Sequence, residues 1–214
     1  MKISANNLVF RSLQRTVIDG VSFSFTSGQR VALYGPQDSG KKVLLLMLGG
    51  YLKPASGAIM LDNENVFHKL KEYRNHVGLG ETDNINPLAE EMTIRENVEF
   101  ALEIRGQNHK PKDVQKILDN FDIKVYADTP VKECSPFARA ITSITCATVH
   151  NPDIILLDEP TKRLTSLEAK KFWEIANNIF KNKTVFFSTK NFEEAKSNSD
   201  KIISLNFSGH VIGS

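Results

Sequence analysis

Cysteine is scarce in this chain, with two in 214 residues, and Cys134 and Cys146 fall in one predicted segment. That leaves no disulfide framework to organise a small secreted fold. Long hydrophobic runs are missing as well. The longest, Val43–Leu48, is far short of the roughly 20 residues a membrane helix needs. The N-terminal stretch MKISANNLVFRSLQR has no apolar core followed by a small-residue cleavage site, so no signal peptide is expected. An excess of one charge sign is lacking too: 27 Lys and Arg stand against 25 Asp and Glu, interspersed, for a net +2. Such a balance does not predict a nucleic-acid partner. Global disorder is excluded, because 41% hydrophobic and 24% charged residues are ordinary for a packed chain. The length suits one domain with an attached lobe, and the composition predicts a soluble, intracellular, globular protein.

The pattern along the chain supplies the architecture. Lys2–Leu8, Val21–Phe25 and Arg30–Leu33 alternate as strands, with turns expected at Asp19-Gly20 and Thr26-Ser27-Gly28, which predicts an antiparallel portion near the N-terminus. Val31–Tyr34 then leads through a glycine-containing loop into a helix over Val43–Leu48, and a strand follows at Ala58–Asp62. From about residue 86 to 147 the periodicity turns helical, in Ile94–Ile104, Pro111–Phe121 and Pro136–Val149. Ile154–Leu157 is apolar throughout and bounded by Pro152 and Asp158-Glu159, as a buried parallel strand would be. An amphipathic helix over Ser166–Phe180, a strand at Thr184–Ser188, a short helix at Glu193–Ser199 and strands at Lys201–Leu205 and His210–Ile212 complete the reading. Strands alternating with helices predict an α/β fold with a mostly parallel core sheet.

Gly35-Pro36-Gln37-Asp38-Ser39-Gly40-Lys41-Lys42 approximates the phosphate-binding loop G-x-x-x-x-G-K-[ST]. Glycines let backbone N–H groups curl around phosphates, the lysine reaches the β/γ oxygens, and the helix that follows adds its N-terminal dipole. The last position departs, because Lys42 replaces the hydroxyl that ligates Mg²⁺. A bare strand-to-helix connection would also carry glycine, but Asp158-Glu159 at the end of a second strand weighs against it. Asp158 suits a Mg²⁺ held through water, and Glu159 suits a group that polarises an attacking water.

Further stretches then bring out a likeness. V-S-F-S-F-T-S-G-Q-R-V-A-L-Y-G-P (21–36), L-K-P-A-S-G-A-I (52–59), M-T-I-R-E-N (92–97), H-N-P-D-I-I-L-L-D-E-P-T (150–161) and N-F-E-E-A (191–195) occur in the order and spacing of the ATP-binding subunit of ABC transporters. The chain resembles that family over nearly its whole length, and M-T-I-R-E-N with a short helical insertion is most like the compact subunits of exporters. The resemblance implies a P-loop (RecA-like) core with an N-terminal antiparallel β subdomain and an inserted helical subdomain. The β subdomain and core would take up about 1–85 and 150–214, and the helices about 86–149. It also implies ATP and Mg²⁺ as cofactors and a head-to-tail dimer with a second ABC ATPase subunit. The partner would be a transmembrane permease, with this chain cytoplasmic and peripheral on the inner face of the cell membrane.

Position by position, the resemblance also marks departures. Asp38 stands where the loop usually has a glycine, and its carboxylate would face a triphosphate at close range unless it turns outward. The glutamine after the third core strand falls at Glu81 or Thr82, and the adenine-stacking aromatic falls at Ser12, with Phe10 a substitute only if the strand register shifts. The signature region aligns to Cys134-Ser135-Pro136-Phe137-Ala138, where Ser135 suits an N-cap and Pro136 the first helical position. Thr165 replaces the aspartate of the dimer-contact loop, and Lys190 replaces the switch histidine, a point charge in place of an imidazole. Because both the P-loop and the signature differ, pairing with an intact subunit leaves neither composite site whole. The expected function is therefore a degenerate, noncatalytic or regulatory half. A compensated, competent export ATPase and a nucleotide-independent scaffold remain open, as does a Lys41–Asp158 ion pair that would make both residues structural.

Overall fold

The computed structural model describes residues 1–13, 15–207 and 209–211. It begins with β1 (Lys2–Ser12), β2 (Arg15–Thr26) and β3 (Arg30–Tyr34), then α1 (Lys41–Leu48), β4 (Ser56–Leu61) and β5 (Glu64–Asn65). Next come α2 (Leu70–Asn75), β6 (Val77–Leu79), α3 (Ile94–Glu103), α4 (Pro111–Asn120) and α5 (Pro136–Thr148). The chain continues with β7 (Ile154–Asp158), α6 (Ser166–Ile179), β8 (Thr184–Thr189), α7 (Phe192–Asn198) and β9 (Lys201–Ser204). An antiparallel sheet runs β2-β1-β4-β5, and a parallel sheet runs β6-β7-β8-β3-β9.

Alternation along the central strands decides what lies on each face of the parallel sheet. Val31, Leu33, Ile154, Leu156 and Phe186 join one apolar cluster with α1 and the antiparallel sheet. Ala32, Ile155, Leu157, Val185 and Phe187 join the other, with α3 to α7. Strands buried on both sides read as unbroken apolar runs, which is why Ile154–Leu157 and Thr184–Ser188 stand out in the sequence. Among the described residues, no helix is long and apolar enough to cross a membrane.

Three expectations need correction. The turn at Asp19-Gly20 is instead an irregularity inside β2. Gly20 takes φ +71 and the register against β1 shifts between Leu8 and Phe10, so the strand continues where the punctuation suggested an end. The helix and strand at Leu70–Asn75 and Val77–Leu79 have no counterpart in the segment-by-segment reading, because both are too short to show a period. Of the strand at His210–Ile212, Val211 forms a single antiparallel bridge with Leu205, and residue 212 lies outside the described residues.

Candidate nucleotide site

β3 delivers the loop Gly35–Gly40 to the start of α1 from an interior position of its sheet, between β8 and the edge strand β9. The backbone turns through two left-handed residues, Asp38 at φ +61 and Gly40 at φ +87. At Gly40 a side chain would also collide, since a Cβ would lie 2.7 Å from the Val17 carbonyl oxygen. Asp38 holds the conformation with its carboxylate on an exposed residue, and its carbonyl oxygen accepts a long bond from Arg15 Nη2 at 3.5 Å. Pro36 and Gln37 are exposed at the loop's outer turn.

Lys41 is 5% exposed, and its Nζ donates to the Gly35 and Pro36 carbonyl oxygens at 2.8 and 2.6 Å. Burial pushes its pKa down from the ordinary lysine value, opposed by the nearby charges of Glu159, Asp158 and Asp38. Beside it, Ser39 is 1% exposed and its Oγ has no hydrogen-bond partner. A buried hydroxyl left unsatisfied inside a phosphate-type loop is a cost that a bound oxyanion would relieve.

The cation facing Asp158 is Lys42, not Lys41, which corrects the pairing left open from sequence. Lys42 Nζ lies 3.7 Å from Asp158 Oδ2 and 3.9 Å from Asp83 Oδ2. Asp158 Oδ1 accepts from Ser188 Oγ at 2.6 Å, and the Glu159 N–H donates to the same Ser188 oxygen at 2.9 Å, so β8 fixes the tip of β7. Glu159 adopts φ +44, and its Oε2 is 3.1 Å from Lys162 Nζ. An open cleft of about 150 Å³ runs beside these groups, lined among others by Asp83, Asp158, Glu159 and Lys162.

The other aligned positions are placed as follows. Glu81 is taken up by Arg139 of α5, whose Nε donates to its two carboxylate oxygens at 2.9 and 3.1 Å. Thr82 is buried, with its hydroxyl donating to the Gly80 carbonyl. Ser12 pairs with Arg15 at the end of the β1–β2 ribbon, while Phe10, partly buried against the core cluster, sits between two shifts of the β1–β2 register. Ser135 caps α5 by accepting from the Ala138 N–H at 3.2 Å, with Pro136 at the first turn. Lys171 Nζ lies 5.3 Å from the centre of the Phe137 ring. Thr165 caps α6 in a reciprocal pair with Glu168. Lys190 is exposed just after β8, and its charge bears on Lys41. Asp83, Arg139 and Ser188 carry no motif of their own, and sequence reasoning passes them over; only their closeness to Glu81 and Asp158 in the fold brings them to the site.

A β-strand, phosphate loop and helix beside an acid-tipped parallel strand define a P-loop nucleotide-binding cassette. The ABC transporter family model matches residues 18–162, and the chain belongs to that family. It is 32% identical over 186 residues to Nod factor export ATP-binding protein I of Burkholderia thailandensis, covering 85% of this chain and 60% of the relative. It is 30% identical over 198 residues to the ABC transporter ATP-binding protein NatA of Bacillus subtilis, covering 90% and 78%. The chain spans 60–66% of the length of the Nod factor export proteins it matches. In fold it is similar to a dimeric bacterial ABC transporter cassette, with TM-score 0.85, 24% identity, and 99% and 97% of the two chains covered. It is similar also to a bacterial Atm1-family ABC exporter with ATP bound, at TM-score 0.84 and 21% identity over 99% of this chain and 38% of that one.

The loop residues suit a nucleotide triphosphate: a curled backbone, an ammonium held in reserve at Lys41 and an orphaned hydroxyl at Ser39. The residues do not suit Mg²⁺. The hydroxyl position is an ammonium, the amide position is a carboxylate bound to arginine, and Asp158 faces Lys42.

Proposed function

We propose that this protein is a nucleotide-binding, catalytically silent half of an ABC transporter of the export type. One observation carries the reading. Both acids at the end of β7 face lysines, Asp158 with Lys42 and Glu159 with Lys162, while the loop from Gly35 to Lys41 keeps a phosphate-cradling backbone. Lys41, the Ser39 hydroxyl and the N–H groups of Gln37, Asp38, Gly40, Lys41 and Lys42 would hold the triphosphate, those of Gly35 and Ser39 being engaged by the Thr189 and Pro36 carbonyls. Glu159 would have no positioned metal or freed carboxylate with which to direct water. Ser135, at the cap of α5, would face a nucleotide held by a partner cassette, with Pro136 withholding an N–H and Phe137 filling space there. Lys190 would supply positive charge in place of a proton-exchanging imidazole. The export names of the relatives support a permease in the membrane as the docking partner, with the chain cytoplasmic and peripheral there.

The test is phosphate release from ATP by the full chain, alone and mixed with an intact cassette, beside an equilibrium ATP titration. Saturable binding without multiple-turnover hydrolysis is expected. Sustained hydrolysis that disappears in Glu159→Gln would return the protein to the competent ATPases. Absence of saturable binding would leave the nucleotide-independent scaffold.

A further inference from the structure

We infer that the site takes a nucleoside triphosphate free of divalent metal, with the Lys42 ammonium supplying the positive charge that a metal would bring; this rests on the nucleotide-binding reading above. Lys42 is the second residue of α1, at the end of the phosphate loop, and its side chain is 39% exposed. Its two acidic neighbours lie at 3.7 and 3.9 Å, within Coulombic reach but beyond hydrogen-bond distance. All of its N–H donors are therefore free to turn to a phosphate oxygen without breaking a hydrogen bond. Asp83 is 86% exposed on its side of the cleft, so water readily takes over its half of the pairing. Asp158 stays satisfied through the Ser188 hydroxyl at 2.6 Å, so the carboxylate does not depend on a cation.

A second, independent observation points to an oxyanion at the same loop, namely the buried Ser39 hydroxyl without a partner. The same geometry disfavours a divalent ion. An ammonium this close to Asp158 repels Mg²⁺, and lysine has no lone pair to offer while charged.

The experiment is calorimetric titration of the full-length protein with ATP in excess EDTA and again in excess Mg²⁺. The wild type should bind about tenfold more tightly in EDTA than in excess Mg²⁺, because Mg²⁺ converts nearly all of the ATP to a complex that the Lys42 ammonium disfavours. In Lys42→Thr, which circular dichroism should show to be folded because the side chain is partly exposed, EDTA should weaken binding by about tenfold and Mg²⁺ should restore it. Wild-type binding that is no tighter in EDTA than in Mg²⁺ overturns the inference and leaves the nucleotide-binding reading standing. Binding in EDTA that survives unchanged in Lys42→Thr overturns the role of Lys42. Failure of the wild type to bind under either condition removes the nucleotide-binding reading and the inference with it.

Discussion

Arg139 holds Glu81 and Glu90 at once: its Nε bonds both Glu81 oxygens, its Nη1 donates to Glu90 Oε2 at 2.9 Å, and its Nη2 donates to Glu90 Oε1 at 2.7 Å. Glu81 follows β6 of the parallel sheet and Arg139 sits on α5, so one guanidinium fastens the helical region to the core at the edge of the candidate site. Glu81 and Glu90 in turn raise the Arg139 pKa, so its charge is secure. The position after β6 is thus occupied by a fixed ionic clamp.

Arg139→Ala should therefore cost more than a surface ion pair. With Arg139 and Glu81 both about one-fifth exposed, about 1–2 kcal/mol is expected, between the exposed and fully buried limits. Urea denaturation reads the loss, and a double-mutant cycle with Glu81→Gln should return a coupling of similar size.

Thr165→Asp should leave stability within about 0.5 kcal/mol, because aspartate caps a helix as well as threonine does. Thr165→Ala should cost about 1 kcal/mol through loss of the reciprocal pair with Glu168. Thermal melts of the two variants separate a capping role from any requirement for the aspartate at this position.

Gly78→Ala tests close packing of β6 beneath α5. A Cβ there would sit 2.1 Å from the Ala147 carbonyl oxygen and 2.8 Å from the Pro152 ring. Backbone cannot yield as a flexible side chain does, so a loss of about 3 kcal/mol is expected, at the upper end for overpacking. Equilibrium unfolding that matches wild type would mean α5 is less closely seated.

His150 predicts an acid limb. Burial pushes its pKa down from 6.5 to about 4, with Arg105 adding repulsion, while its Nε2 lies 3.2 Å from the Val77 carbonyl oxygen. The unfolded chain protonates first as pH falls through 6.5, so the folded state loses stability from there down to about pH 4 and no further through this group. His150→Gln should flatten the stability profile in that window, compared with wild type by urea titration at successive pH values.

Much of this was legible because local pattern and local chemistry agree. Ser135 and Pro136 announce the start of α5, and Ile154–Leu157 announces a two-sided strand. The loop's residue types also name the candidate site. What sequence could not supply are contacts made across the fold. Lys41 and Lys42 are adjacent and alike, and only the helical turn decides that the first folds onto the loop and the second reaches Asp158. Arg139 has no motif and gains meaning from a partner 58 positions away. Gly20 looks like punctuation because an irregularity inside a strand uses the same residue as a turn.

The position of β3 carries a consequence for how the protein is made. Its two neighbours in the sheet are β8 and β9, so Arg30 meets Val185 and Val31 meets Lys201 only once most of the chain exists. During synthesis the strand bearing the phosphate loop waits with both edges open while the antiparallel sheet and the helical region already have their partners. Such long-range closure is slow and exposes unpaired edges to aggregation. The setting of the phosphate loop is thus completed late in the protein's biogenesis, and a ribosome stalled before Thr184 would release a chain whose β3 has neither of its sheet neighbours.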